Sequence, residues 1–378
     1  MTTIDRYLLR QFIQSFLICY LSLTGLFIVF HAFTNLEEFL RHAEKAGGLF
    51  ALMGWYYFYQ SILFFDRTAA LLALVAAMFT VTWIQRHNEM IALMAAGISR
   101  ARVVVPVISA AIVIALLAAA NRELILPGLS EELSRHPTDM LGDVGQSLHQ
   151  QCDYHSGIWI DGKRTFSDRQ RIEKPSFDLP QALDEYGSQL TAENAFYRPP
   201  EGDRPGGYLL DGITQPKDIA TRASLSLDGE PILITPHDAP RWLQPDQCFV
   251  VSDLNFTQLA GGDDLHEYGS TAQLIAGLRN RSLDLGADRR VAIHSRMVRP
   301  LLDITLLFLG LPLVVSRESR NVFVAIGLCG LVVTVFLLVT FASQQLGANY
   351  LLSPALAAWM PLLIFVPIAV WMAESIRE

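Results

Sequence analysis

The chain has 378 residues, of which 51% are hydrophobic and 17% charged, where a soluble globule carries about 25% charged. The net charge of −8 is unevenly spread: 27 acidic and 15 basic side chains fall between Glu123 and Arg290, against 10 and 14 elsewhere. This is the composition of a membrane protein with an acidic soluble part, which repels phosphate backbones and excludes nucleic-acid binding.

Crossing a hydrocarbon core takes roughly 20 apolar residues in a helix, and six runs qualify. The first, Phe12 to Phe33, has no small-residue cleavage site after it and reads as a span rather than a removed signal. The second covers Trp55 to Trp83, and Asp66-Arg67 interrupts it. Its dependable part is Thr68 to Ile84, and the interruption predicts a re-entrant bend or a local ion pair. Val103 to Ala120 is the third. Val298 to Val315, Val322 to Ala342 and Pro354 to Met372 complete the set.

A turn between spans needs only a few polar residues. The stretch from Arg86 to Arg102, RHNEMIALMAAGISRAR, instead reads as a helix over about 86–100. Glu89 stands near its start, Met90, Leu93 and Met94 are three and four apart, and Gly97 is its stop. A short amphipathic helix at a membrane edge is placed to carry force or dock a partner.

Between the third and fourth spans lies a polar insert. Short runs at Gly157–Ile160, Leu190–Tyr197, Gly207–Ile213, Ala223–Leu227, Ile232–Thr235 and Phe249–Leu254, punctuated by Pro, Gly and Asp, predict a sandwich, jelly roll or open barrel. Thr271 to Asn280 predicts a helix leading through Arg289-Arg290 into the fourth span. The expected organisation is residues 1–122 with three membrane helices, an all-β domain over 123–290, and 291–378 with three more helices.

Basic residues in short connections set orientation. One side collects Arg6, Arg10, Arg86, Arg100, Arg102, Arg317, Arg320 and Arg377. The opposite short loops hold Arg41 and Lys45, diluted by Glu37, Glu38 and Glu44. Arg122, Arg296 and Arg299 border the insert and count against the rule. The balance predicts cytoplasmic termini, a cytoplasmic 86–102 connector and an extracytoplasmic insert.

Lysine occurs only at 45, 163, 174 and 217, none in a Gly-Lys-Ser/Thr context, so the chain has no P-loop and binds no ATP that way. It also lacks His-Glu-x-x-His and Gly-x-Ser-x-Gly, which argues against the common membrane hydrolases. No catalytic residue or cofactor is expected. His149, Cys152 and His155 are spaced at three but lack a fourth ligand, so no metal is expected. Cys152 and Cys248 both fall in the insert and form either a disulfide or two free thiols. Cys19 and Cys329 fall in apolar runs.

Charges at membrane depth are costly unless paired or facing water. Arg299 and Asp303 are four apart and able to pair on one helix face. His294, Arg296 and Arg299 make a basic cluster at the outer boundary, either a topology anchor or a contact for a phosphorylated lipid headgroup. His31, near the outer end of the first span, is either an interfacial histidine or a second headgroup contact.

Several features occur together in a fixed order: Asp5-Arg6-Tyr7 before the first span, Glu89-Met90-Ile91-Ala92-Leu93-Met94-Ala95-Ala96-Gly97-Ile98-Ser99-Arg100 in the connector, and Asn121 and Pro127 leaving the third span. His294-x-Arg296-x-x-x-Pro300 enters the fourth span, Leu311-Pro312-Leu313 closes it, and Pro354-x-x-x-x-Trp359-x-Pro361 opens the sixth. With the layout of three spans, β domain and three spans, the chain resembles the LptF/LptG family of lipopolysaccharide-export permeases over nearly its whole length. The resemblance implies an ABC transporter in which two such six-span subunits form a heterodimer on a cytoplasmic ATPase dimer of LptB type, where ATP is bound. It implies extraction of lipopolysaccharide from the inner membrane and passage through the periplasmic jelly roll to bridge proteins of LptC/LptA type. It makes 86–100 the coupling helix, with Glu89, Met90, Leu93, Met94, Gly97 and Arg100 as coupling residues, and has the first and fifth spans form a lateral gate. His31, Arg296, Arg299 and Asp303 are the lipid-binding candidates. The chain departs from the LptG pattern where His31 replaces a phosphate-contacting lysine and Glu37 and Glu38 replace further basic residues. Rival readings are an ABC permease for another lipid or lipoprotein, an ion-coupled transporter using Asp66 and Asp303, and a scaffold for the β domain.

Overall fold

The structure, a computed structural model, describes residues 3–43, 48–133, 148, 150–166, 169–180, 189–202, 204–227, 229–239, 241–260, 268–283, 286–315 and 322–377. Glu44, Lys45, His149, Arg317 and Arg320 lie outside these residues.

Among the described residues six helices are long and apolar enough to cross a membrane: Thr3–Thr34, Leu49–Arg86, Arg100–Leu129, Ala287–Val315, Gly327–Ala348 and Pro354–Glu374. They are the first to sixth spans below. The bend expected at Asp66-Arg67 does not occur, because the helix Leu49–Arg86 runs through both residues. A charge breaks no backbone hydrogen bond, and Asp66 finds a cation on a neighbouring helix, so the helical ladder continues.

The chain divides into two compact units. One comprises Met1–Leu36, Met53–Leu129 and Gly286–Glu378, the other Glu37–Leu52 and Ser130–Leu285. In the first, Phe12, Ile84, Val107, Val298 and Leu309 belong to one apolar core with the small residues Ala73, Ala76, Ala77, Ala110 and Ala111. Helices in lipid associate through such close packing. At Gly310 the approach is close, since an added Cβ would stand 2.6 Å from Leu74 and 3.1 Å from the Cys329 sulfur. The fourth span is the most enclosed, with 61% of its apolar window buried, whereas the first and fifth are 17% buried each. Large side chains such as Ile18, Leu21 and Phe30 on the first and Leu331, Leu338 and Phe341 on the fifth are exposed.

The second unit is built on one eight-stranded antiparallel sheet in the order β1-β2-β3-β4-β5-β8-β7-β6. The strands are β1 Gln151–Asp153, β2 Ile158–Phe166, β3 Arg171–Asp178, β4 Gln189–Arg198, β5 Gly207–Gln215, β6 Leu225–Leu227, β7 Glu230–Ile234 and β8 Gln247–Val251. β1 to β5 form a meander, and β8 returns beside β5 through Leu209↔Phe249. Ile158, Ile160, Ile172, Phe177, Leu190, Tyr208 and Leu210 fill its core. Two strands were not expected. β1 is only three residues long, and β3 is polar and contains Pro175, which normally argues against an interior strand. The structure tolerates it because Lys174 adopts φ 48° and the ladder is interrupted there, resuming at Glu173 on one side and Pro175 on the other. The expected helix forms as Thr271–Gly277. Its capping box has the Ser270 hydroxyl accepting from the Gln273 N–H at 3.1 Å and the Gln273 side-chain oxygen accepting from the Ser270 N–H at 2.8 Å.

Candidate functional site

The connector between the second and third spans folds into a helix, Glu89–Ala95. Asn88 precedes it at φ 58°, a left-handed conformation that asparagine adopts more readily than most residues. At the other end the Ile98 N–H donates to the Leu93 carbonyl at 3.0 Å and the Gly97 N–H to the Met94 carbonyl at 2.9 Å. This Schellman closure needs a left-handed residue, supplied by Gly97 at φ 82°. Ser99 then caps the third span, its hydroxyl accepting from the Arg102 N–H at 3.4 Å. Turn, helix and turn are each held by local backbone bonds, so the connector is stiffer than a linker of its length.

Its two faces differ. Met90 is buried in the apolar core of the spans and Leu93 packs against that core. Met94 is half-buried, and its sulfur accepts from Arg100 Nε at 3.3 Å. Ile91, 61% exposed, lies on the opposite face with the exposed Ala92, Ala95 and Ala96. The apolar spacing of Met90, Leu93 and Met94 therefore marks the inward side, and Ile91, Ala92 and Ala95 are the strip left open.

Long-range contacts hold the connector in place. Tyr7 Oη donates to Glu89 Oε2 at 3.0 Å and lies 3.3 Å from Oε1. Arg102 Nη2 donates to the Asp5 carboxylate at 3.3 and 3.4 Å, and Gln85 Nε2 donates to the Val314 carbonyl of the fourth span at 3.1 Å. Sequence reasoning assigned no role to Tyr7, Asp5 or Gln85, whose partners stand 82, 97 and 229 residues away. The signals were that Asp5-Arg6-Tyr7 belongs to the pattern carrying the resemblance and that these polar residues open an otherwise apolar helix.

A second constellation joins the second, third and fourth spans on the side of Asp66 away from the connector. Arg122 binds Asp66 through Nη2 at 2.8 Å to both carboxylate oxygens and through Nε at 3.2 Å. Both side chains are less than a tenth exposed. Arg122 sits in a π-helical turn, Asn121–Ile125, whose extra residue per turn directs Asn121 inward as well, where its Nδ2 donates to the Ile62 carbonyl at 3.2 Å. Arg122 thus corrects the orientation count: it is a buried partner of Asp66 and not a loop charge bordering the insert. A sequence signal existed, since Asp66 precedes Arg86 by 20 residues and Arg122 follows Arg102 by 20, which sets the two at one height.

The expected pairing of Arg299 with Asp303 is not made. They stand within electrostatic reach, but Arg299 Nη2 donates to the Asp66 carbonyl at 3.3 Å, and among the described residues no ion pair within 4.0 Å reaches Asp303. The guanidinium is drawn across to the second span, where a carbonyl and a nearby carboxylate both attract it. Asp303 lines a void of about 10 Å³ with Ala70, Ala73, Ala111 and Ala115, room for about one water. Arg296 lies within electrostatic reach of Arg122, Glu123, Asp66 and Arg299.

His31 is engaged within the protein. Its Nδ1 lies 3.1 Å from the Tyr57 hydroxyl, and its ring packs against both Tyr56 and Tyr57 at centroid distances of 5.7 and 5.8 Å. Between the second and fifth spans an apolar cavity of about 250 Å³ is lined by Leu74, Met78, Phe79, Cys329 and Val333. It suits hydrocarbon and nothing charged.

In the β unit His155 Nε2 lies 2.8 Å from Glu230 Oε2, and the described residues contain no group of three or more metal-ligating side chains. Cys152 and Cys248 are both free thiols. Burial pushes the Cys248 thiol up to about 12. Cys152 is also raised, by burial and then by the neighbouring Asp153.

Compared with known protein families, residues 6–171 and 213–375 match the family described as lipopolysaccharide export system permease LptF/LptG. No curated protein matches the chain significantly.

Proposed function

Because the chain belongs to the LptF/LptG family of lipopolysaccharide export permeases, a family of multi-pass inner-membrane proteins, we propose that it is one permease subunit of an ATP-driven exporter. It lifts lipopolysaccharide from the inner membrane and passes it into its β domain. The observation that carries this reading is the connector helix, closed at both ends and open to solvent along Ile91, Ala92 and Ala95. The chain has no phosphate-cradling loop of its own, so energy comes from another protein. In this reading the ATPase docks on that open strip, with Glu89 and Gly97 at its ends, while Met90, Leu93 and Met94 pass the displacement into the span core and Arg100 braces Met94.

The termini and connector are cytoplasmic and the insert periplasmic. Removing Arg122 from the loop count strengthens the basic bias behind that orientation. The first and fifth spans, least covered within the chain, face a second six-span subunit and form the lateral gate through which the lipid enters. Acyl chains travel in the apolar interior of the β domain to bridge proteins of the LptC/LptA type. The Arg296 and Arg299 end of the fourth span meets the phosphorylated headgroup. The ion-coupled alternative loses its first carrier, since Arg122 occupies both oxygens of Asp66.

The test is co-expression with the partner permease and ATPase, followed by reconstitution and measurement of ATP-dependent lipopolysaccharide release. Ile91→Glu is expected to abolish ATPase capture with no change in melting. Met90→Ala, which opens a cavity in the core, is expected to cost about 2–5 kcal/mol. Full capture and release by Ile91→Glu would refute the docking assignment.

A further inference from the structure

We propose that Asp5 and Tyr7 latch the first span to the connector helix, so that a displacement of that helix moves the first span directly. The inference rests on the reading of the connector as the ATPase-docking element. The connector is covalently continuous with the second and third spans only, so anything it delivers to the first span must cross non-covalent contacts. Two polar contacts do this, and they catch the connector at both ends: Tyr7 with Glu89 at its entry and Asp5 with Arg102 just past its exit. Residues two apart on a helix point to different sides, so Asp5 and Tyr7 straddle the connector as the two tines of a fork.

Beneath the latch lies an apolar joint. Leu8 and Phe12, 1% and 0% exposed, share a core with Met90, Ile84 and Val103. Beyond these first turns the span is little enclosed, its apolar window only 17% buried. It rests on the second span along one side, where Tyr20 Oη donates to the Ser61 carbonyl at 2.9 Å and Phe27 and His31 pack on Phe64 and Tyr57. A continuous helix latched at its connector end carries a displacement along its length. Asp5 and Tyr7 are positioning residues, acting through Arg102 and Glu89. Each contact is exposed and individually weak, so the two act as a pair.

The experiment uses the complete reconstituted exporter and reads lipid released per ATP hydrolysed, with ATPase capture and melting temperature as controls. The variants are Tyr7→Phe, Asp5→Asn, the double variant, and Arg102→Asp alone and combined with Asp5→Arg. Capture, hydrolysis and melting are expected to stay near wild type. Release per ATP is expected to fall about twofold in Tyr7→Phe and about fivefold to tenfold in the double variant. The Asp5→Arg/Arg102→Asp swap should recover most of what Arg102→Asp alone loses. An unchanged ratio in the double variant, or a swap that assembles and melts normally without recovery, overturns the latch. Loss of capture in the double variant would place Asp5 and Tyr7 in the docking surface and overturn the transmission role. If wild type captures no ATPase, the docking reading fails first and the latch falls with it.

Discussion

Removing one partner of the Asp66–Arg122 pair should be far more damaging than removing both. Arg122 makes contacts of 2.8, 2.8 and 3.2 Å to Asp66, with both side chains under a tenth exposed. Arg122→Ala strands a carboxylate in a water-poor site and Asp66→Leu strands a guanidinium. Breaking a buried pair in this way costs about 3–5 kcal/mol, while replacing both members with apolar side chains of similar volume is close to neutral. For a unit of this size each kcal/mol moves the melting temperature by about 2–4 °C, so each single variant should melt about 10 °C lower. The double variant Asp66→Leu/Arg122→Met should melt within a few degrees of wild type, a range that corresponds to about 1 kcal/mol. Melting in detergent micelles, followed through the six tryptophans, measures all three. Single variants as stable as wild type, or a double variant as poor as the two losses summed, would refute the claim that this pair is buried and mutually dependent.

Other consequences are read more simply. Gly97 has φ 82° with nothing within 4 Å of an added Cβ, so Gly97→Ala should cost about 1 kcal/mol through backbone strain alone. Gly97→Asn should cost less and Gly97→Val more, a ranking that melting of the purified chain will check. In the β unit the Ser224 backbone N–H and then His237 hold the Asp238 carboxyl down to about 2. Because the folded value is depressed, this contribution is present above the ordinary carboxyl value near 4 and is lost as pH falls from about 4 to about 2. Acid titration of Asp238→Asn should therefore show a flatter fluorescence transition in that window, and an identical transition would count against it. Finally, intact-mass analysis without reductant should find four free thiols, matching the four unpaired cysteines. In native protein a maleimide should label Cys152 before Cys248, whose thiol is fully buried and pushed up to about 12.

What the chain declares locally was legible from the sequence. Six apolar runs, a connector with helical spacing and a glycine stop, and short strands between turn residues are properties of neighbouring residues. The forces that form them act over a few positions. The family resemblance was carried by the order of those same features. Contacts between residues far apart in the chain were not legible. Asp66 announced only that it needed a cation, and a π-helical turn on another span aimed Arg122 at it. The pattern Met90, Leu93, Met94 identified an amphipathic helix but not which face the spans would cover. Tertiary packing turned those residues inward and left Ile91 outside. Strand β3 was hidden because Pro175 argues against a strand, and pairing on both sides with β2 and β4 outweighs that local cost. Tyr7 and Asp5 gained their partners only when the first span folded beside the connector, since a side-chain hydrogen bond depends on position in space and leaves no periodic trace along the chain.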